Sequence, residues 1–366
     1  MQESVARLYY MDAMRSVLMM LGIFSHTSYI YHSSIHWQIN STEHLPLLDW
    51  LSSAQLSFRM QAFFAISGFF CALTLSRYSV VKFLRVRLIR IALPMLVTGM
   101  TLNMFQNIFL DSRGLYTFTF SGHFFAAEWV SHLWFLRNLV FYFLGAAIIV
   151  AVFKPLLPPF NKLLGRMAAS VNMYVLILGL PLVSVAVLAL TVINFPLHER
   201  WLFGVLHWYQ LLVYLPFFVV GVFFFTLPGL LDRFTSVSSI VMCTQVAVGV
   251  ALIHWTKNGD SLFHNAVYGY AYALIGWSFV VMTFKLFQRF FDKPSKTWTF
   301  FSDASYTIYL FHHLFVILFG MVVLHFGGGP IVGLFLIMAA TFAVTVCIHI
   351  FFVSRVPFAR YLFNGK

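Results

Sequence analysis

Long apolar runs alternate with short polar connections along the whole chain. The runs lie near 12–33, 53–76, 88–110, 131–153, 171–194, 205–226, 237–256, 262–286, 303–325 and 330–353. A helix needs about 20 apolar residues to cross a hydrocarbon layer of about 30 Å, and each run meets that length. The pattern therefore predicts an all-α, polytopic integral membrane bundle of about ten transmembrane helices, with residues 1–366 forming one domain. No internal repeat is visible. One stretch departs from the pattern: "GLYTFTFSGHFFAAEW", residues 114–129, is aromatic but too short and too polar to span. It is expected to lie along the membrane surface or dip into it, anchored by Tyr116 and Trp129.

Composition strengthens this reading. The chain is 61% hydrophobic and 9% charged, with 44 phenylalanines, more apolar surface than a soluble domain of this size can bury. The first apolar run has no small-residue cleavage site and carries ionisable residues, so no signal peptide is expected. Cys71, Cys243 and Cys347 sit in apolar runs at no ligand-like spacing, which makes them packing residues and predicts neither a disulfide framework nor a metal site. Charge sets the expected orientation. With both termini cytoplasmic, the inner side holds 18 of the 23 basic residues, including Arg7 and the cluster Arg77, Lys82, Arg85, Arg87 and Arg90. Arg113, Arg200 and Lys257 remain outside, and Arg59 and Arg137 fall within spans. The net charge of +12 is mostly this positive-inside asymmetry, and it calls for no nucleic-acid partner.

Ionisable residues inside spans are costly unless they face a cavity or a partner, so each is a candidate functional position. Arg15 and His26 are eleven residues apart on the first helix. That is three helical turns, so they share a face about 16 Å apart along the axis. Arg15 could instead pair with Asp12 one turn earlier, and a lone buried histidine is often a satisfied hydrogen-bonder. Other polar residues are expected at similar depths. Arg59 lies near the outer end of the second span, before "MQAFFAISGFF", where Ser67 and Gly68 permit close helix approach or a local break. "SHLWFLRN" carries His132, Trp134 and Arg137; "FSDASYTIYLFHH" places Tyr309, His312 and His313 on one helical face. Together they predict a polar cavity inside the bundle. On the inner side, "KFLRVRLIRIALP" puts Arg87 and Arg90 on one face beside Lys82 and Arg85, an arrangement suited to phosphate, although any inner loop is basic for topological reasons.

These residues resemble the acyltransferase-3 family of membrane acyltransferases. Arg15 and His26 in the first helix, "FFAISGFF", the Arg87-x-x-Arg90 run before Pro94, "HLWFL" and "SYTIYLFHH" occur in the family's order across essentially the whole chain. Within the family the resemblance is strongest to members that succinylate osmoregulated periplasmic glucans in Gram-negative inner membranes. It implies acyl-CoA (succinyl-CoA or acetyl-CoA) as donor substrate on the cytoplasmic face, no permanently bound cofactor, and a glucan or other polysaccharide acceptor on the periplasmic face. Membrane lipid and glucan synthesis proteins are the other implied partners. Carried over by motif, Arg15 and His26 are the catalytic pair, and Arg87 and Arg90, with Arg85, serve the donor; Tyr309 and His312 match the late-helix motif.

A sugar hydroxyl attacks a thioester well only when a base removes its proton, and neutral imidazole suits that task. His26 is therefore the expected base, with Arg15 guiding the pantetheine arm. No Gly-x-Ser-x-Gly elbow or cysteine nucleophile points to an acyl-enzyme. A succinyl carboxylate would need a cation, and Arg59 or Arg137 could supply it, though Arg59 could equally neutralise a helix end. Glu128, His132 and Trp134 are candidate acceptor contacts. Two rivals remain. An O-acetyltransferase of lipopolysaccharide or another envelope polysaccharide would share this machinery. A transporter of polysaccharide or lipid-linked sugar is disfavoured, because all 11 acids fall at helix ends or in loops, leaving no carboxylate at mid-membrane for ion coupling.

Overall fold

A computed structural model describes residues 8–194, 200–202, 204–259, 261–327 and 329–366. Glu3, Arg7, Glu199 and Asp260, and the side chain of Arg200, lie outside the described residues. Helix α1 spans Tyr9–Ile30, α2 Pro46–Leu56 and α3 Arg59–Arg77. A broken helix follows over 80–112, in which α4 (Val80–Arg87), α5 (Leu93–Thr98) and α6 (Met104–Ser112) are joined by π-helical turns at Leu88–Ala92 and Gly99–Asn103. Next, α7 (Phe120–Phe125) and a 3-10 turn at Glu128–Leu133 lead into α8 (Trp134–Phe153), α9 (Leu157–Ser170) and α10 (Met173–Asn194). After a two-residue β-hairpin pairing Arg200 with His207 come α11 (Trp208–Thr226), α12 (Leu230–Ser236), α13 (Ser239–Thr256), α14 (Leu262–Phe291), α15 (Lys296–His325), α16 (Pro330–Ile348) and α17 (Pro357–Asn364).

Among the described residues, eight helices are long and apolar enough to cross a membrane. The other two expected spans are also helical, as α1 and the 80–112 run. The protein is an all-α, multi-pass membrane protein. The aromatic stretch 114–129 contains only the single short helix α7 and then a tight turn, with left-handed backbone at Ala127 (φ 54°) and at Ser131 (φ 38°). Of the cysteines, Cys71 is buried, whereas Cys243 and Cys347 lie on exposed helix faces rather than in the packed interior expected for them.

The contacts divide the chain into two compact units: 1–55, 101–117 and 284–366 in the first, 56–100 and 118–283 in the second. In the first unit α1, α15 and α16 pack around Ile23, Ile30, Tyr31, Ile308, Ile317, Leu334 and Ile337. Two buried hydroxyls of α1 are satisfied within the helix, Ser16 donating to the Asp12 carbonyl and Thr27 to the Ile23 carbonyl, which lets polar residues sit in apolar surroundings. Gly333 of α16 gives room to the buried Tyr31; a methyl group there would lie 1.9 Å from the phenol oxygen. Helix α17 is amphipathic, and its Phe363 packs against Phe311 with ring centres 4.9 Å apart and planes 53° from parallel.

In the second unit α3 and α11 meet backbone to backbone. A Cβ at Gly68 would fall 2.0 Å from the Phe218 carbonyl oxygen, and one at Gly221 would fall 1.9 Å from that of Ala65. Small residues allow this approach, as expected of membrane helix pairs, so "ISGFF" produces close packing rather than a break. Ser67 stays in the helical ladder by donating to the Phe63 carbonyl. Elsewhere in this unit Trp277 stacks on Phe217 at 4.1 Å and donates to Ser184, while Ser278 donates to Gln245.

Candidate active site

His26 lies on α1 four residues before the helix ends. The chain then doubles back: Ser41 donates its N–H to the Ile30 carbonyl and Leu45 to that of Tyr31, folding the loop over the helix end. This return brings Trp37 onto His26, with ring centres 5.5 Å apart and planes 25° from parallel. From α15, His312 and His313 approach the same imidazole at 5.3 and 4.7 Å. His26 is half-buried, whereas His312 and His313 are 1% and 2% exposed. One accessible imidazole is thus backed by two enclosed ones.

The hydrogen bonds fix how the two buried rings are held. His312 Nδ1 lies 2.7 Å from the Tyr309 carbonyl, which only accepts, so the proton sits on Nδ1. His313 Nδ1 lies 2.7 Å from Gln106 Oε1, and Gln106 Nε2 donates to Gln38 Oε1 at 3.0 Å. The Gln106 oxygen is therefore an acceptor, and His313 also carries its proton on Nδ1. In neutral rings this leaves each Nε2 a lone pair. Next to His26, Ser25 donates to Gln55 Oε1 at 2.6 Å, which ties α1 to α2 at this level.

At the opposite end of α1, Arg15 donates to Ser302 Oγ at 2.6 Å and approaches Asp12 Oδ1 at 3.7 Å. The pairing with Asp12 one turn earlier is thus present. Its side chain remains 34% exposed, so the ion pair does not enclose the guanidinium. Tyr309 is buried beside His312, with ring centres 5.8 Å apart.

The other candidates belong to the second unit. Arg87 donates to the Phe70 carbonyl and to Thr74 Oγ1 of α3, and its guanidinium lies 5.1 Å from the Phe143 ring centre. It braces α3, α4 and α8. Arg85 and Arg90, in contrast, are exposed. Arg137 is 4% exposed, with Nε and Nη2 directed at Asn138 Oδ1 and Nη2 also at Gln210 Oε1. Arg59 opens α3 in a half-buried position. His132 is buried and Trp134 half-buried, its ring 5.3 Å from Tyr214. Glu128 sits between the two left-handed residues, its carboxylate over Gly122, where a Cβ would lie 2.8 Å from Oε1.

The sequence reading singled out ionisable groups and missed the neutral ones that hold them. Asn103, Gln106 and Asn107 are all buried, and their i, i+3, i+4 spacing in "TLNMFQNIFL" was the available signal. Gln38 and Trp37 carry no such signal, because a loop return brings them to His26.

The acyltransferase-3 family model, described as an acyltransferase domain, matches residues 8–350. The chain belongs to that family. This acyltransferase-3 member is similar to glucans biosynthesis protein C of Shigella dysenteriae serotype 1, 31% identical over 98% of this chain and 95% of the relative. It is 30% identical to glucans biosynthesis protein C of Escherichia coli K12, with the same coverage. No solved structure matches the chain. The family assignment makes the protein a membrane acyltransferase, and the arginine and histidine of α1 both fall inside the matched region.

Proposed function

We propose that this acyltransferase moves an acyl group, succinyl, from acyl-CoA to hydroxyls of periplasmic glucans in the bacterial inner membrane, with both termini cytoplasmic. The observation that carries the proposal is the half-buried His26 imidazole held between Trp37, His312 and His313. The names of the similar proteins support glucan as the acceptor. His26 takes the proton of the sugar hydroxyl as its oxygen attacks the thioester carbonyl. The tetrahedral intermediate then expels the CoA thiolate, which recovers that proton from His26, leaving an ester on the sugar and free CoA.

Arg15 does not touch the reacting atoms in this scheme, being about 16 Å from His26 along α1. It holds the donor arm, steadied by Asp12 and Ser302. His313, locked by Gln106, positions His26 and is not itself the base. Arg85 and Arg90, exposed on their helix, are proposed to attract the anionic donor to the inner membrane face, and Arg87 to keep that helix in place.

The test is the charge and mass of periplasmic glucans from cells lacking the gene, complemented with wild type or with His26→Ala at equal membrane abundance. Succinyl-sized additions restored by wild type and absent with the variant are the expected result. Wild type that adds nothing to glucans refutes the acceptor, and a fully active His26→Ala refutes the base.

A further inference from the structure

A second feature of the first unit lies at the Arg15 end, away from the histidines. A cavity of about 870 Å³ opens there, lined by Tyr9, Lys296, Thr299, Phe300, Asp303, His349 and Ser354 among others. That volume suits a small-molecule ligand. It lies near the Arg15 cluster: Asp303, in its lining, follows Ser302, to which Arg15 donates, and is close enough for Arg15 to act on its charge.

The lining has three kinds of group. The first is positive. Lys296 is exposed at the start of the 30-residue helix α15, where the aligned peptide dipoles favour an anion. Lys366 binds Asp303 Oδ1 at 2.5 Å and so offsets the lining's one carboxylate. Arg15 lies near enough to Asp303, and Arg360 to His349, to act on their charge. The second kind is aromatic: Tyr9 and Phe300 contribute rings to the lining. The third is hydroxyl oxygen. Thr299 donates its proton to the Ser295 carbonyl and Ser354 to that of Ile350, so each presents lone pairs that accept from ligand amino or hydroxyl groups. Simple anions have no use for such acceptors. A nucleotide uses all three: phosphate on lysine, base on rings, base amino group and ribose hydroxyl on the threonine and serine.

We infer that this cavity binds the phosphorylated nucleotide end of the coenzyme A donor, with Lys296 on a phosphate and Tyr9 or Phe300 against the base. The inference rests on the acyl-CoA reading above and adds a location within the first unit. From here a pantetheine arm following the Arg15 face of α1 runs toward His26. Asp12, Arg15 and Ser302 then guard the point where the arm leaves the nucleotide.

The experiment uses full-length protein in detergent, with melting temperature measured against CoA, 3′,5′-ADP and pantetheine, and with acyl transfer measured from acyl-CoA and from acyl-pantetheine. Wild type is expected to be stabilised by CoA and 3′,5′-ADP, and Lys296→Ala to need about tenfold more of either. The ratio of kcat/KM for acyl-CoA to that for acyl-pantetheine should fall by the same factor in Lys296→Ala, and further in Thr299→Trp, which fills the cavity. If wild type is stabilised by CoA but both variants respond as wild type does, the cavity assignment is wrong while the acyl-CoA reading stands. If neither CoA nor 3′,5′-ADP stabilises wild type and acyl-CoA supports no transfer, both fall together.

Discussion

Gln106 offers the sharpest way to separate positioning from packing around His26. Its side chain is fully enclosed, accepts from His313 Nδ1 at 2.7 Å and donates to Gln38 at 3.0 Å. Gln106→Met keeps the volume and removes both partners. The His313 N–H and the Gln38 oxygen are then left without their observed bonds, a cost of about 1–3 kcal/mol for a buried group. Reorientation of His313 relieves that cost, but it disturbs a ring 4.7 Å from His26. If the relieved energy reappears in the barrier, kcat falls between about fivefold and a hundredfold, since about 1.4 kcal/mol is tenfold. KM for the donor should hold within about twofold, because Arg15 and its partners are about three turns of helix away. The assay is steady-state acyl transfer by purified protein, with melting temperature measured in parallel. Gln106→Glu restores the acceptor and should recover part of the rate. A variant whose melting temperature drops while kcat is unchanged would show that the bond only packs the helix and would refute the positioning role.

Other expectations follow from close contacts. Gly221→Ala places a methyl 1.9 Å from the Ala65 carbonyl, where only backbone can move, so membrane abundance and melting temperature should fall by the equivalent of about 3 kcal/mol or more. Wild-type stability in that variant would mean the α3–α11 seam is looser than described. Gly333→Ala strikes the Tyr31 phenol oxygen instead, and removing that oxygen with Tyr31→Phe should restore part of the lost melting temperature; no gain in the double variant would place the strain elsewhere. Arg87→Lys loses the fork that reaches both the Phe70 carbonyl and Thr74, so it should lower melting temperature before it changes donor KM. A KM effect without destabilisation would return Arg87 to direct phosphate binding.

Much of this was legible from residue order. Apolar run length located the helices, ionisable residues in an otherwise apolar helix drew attention to Arg15 and His26, and a shared helical face drew attention to Tyr309, His312 and His313. What spacing cannot reveal is how a side chain's bonding capacity is used. Arg87 and Arg137 look alike in sequence to Arg85 and Arg90, yet the first two are engaged by neighbouring helices and the others are exposed. The partners of the histidines were harder still. Gln106 is neutral and ranks low in any search for charge, and Trp37 reaches His26 only because Ser41 and Leu45 close a loop.

The seam between Gly68 and Gly221 has a mechanical consequence. With the backbone of each helix resting on the other, turning α3 or α11 by one residue drives a side chain into a space that holds none. The two therefore behave as one strut that neither slides nor rolls. Elsewhere in the second unit, as where Trp277 lies on Phe217, helices meet through side chains that can change rotamer. Any opening that admits a bulky polar molecule within that unit has to be made by those helices moving around a fixed post, and crosslinking α3 to α11 should leave it unimpeded.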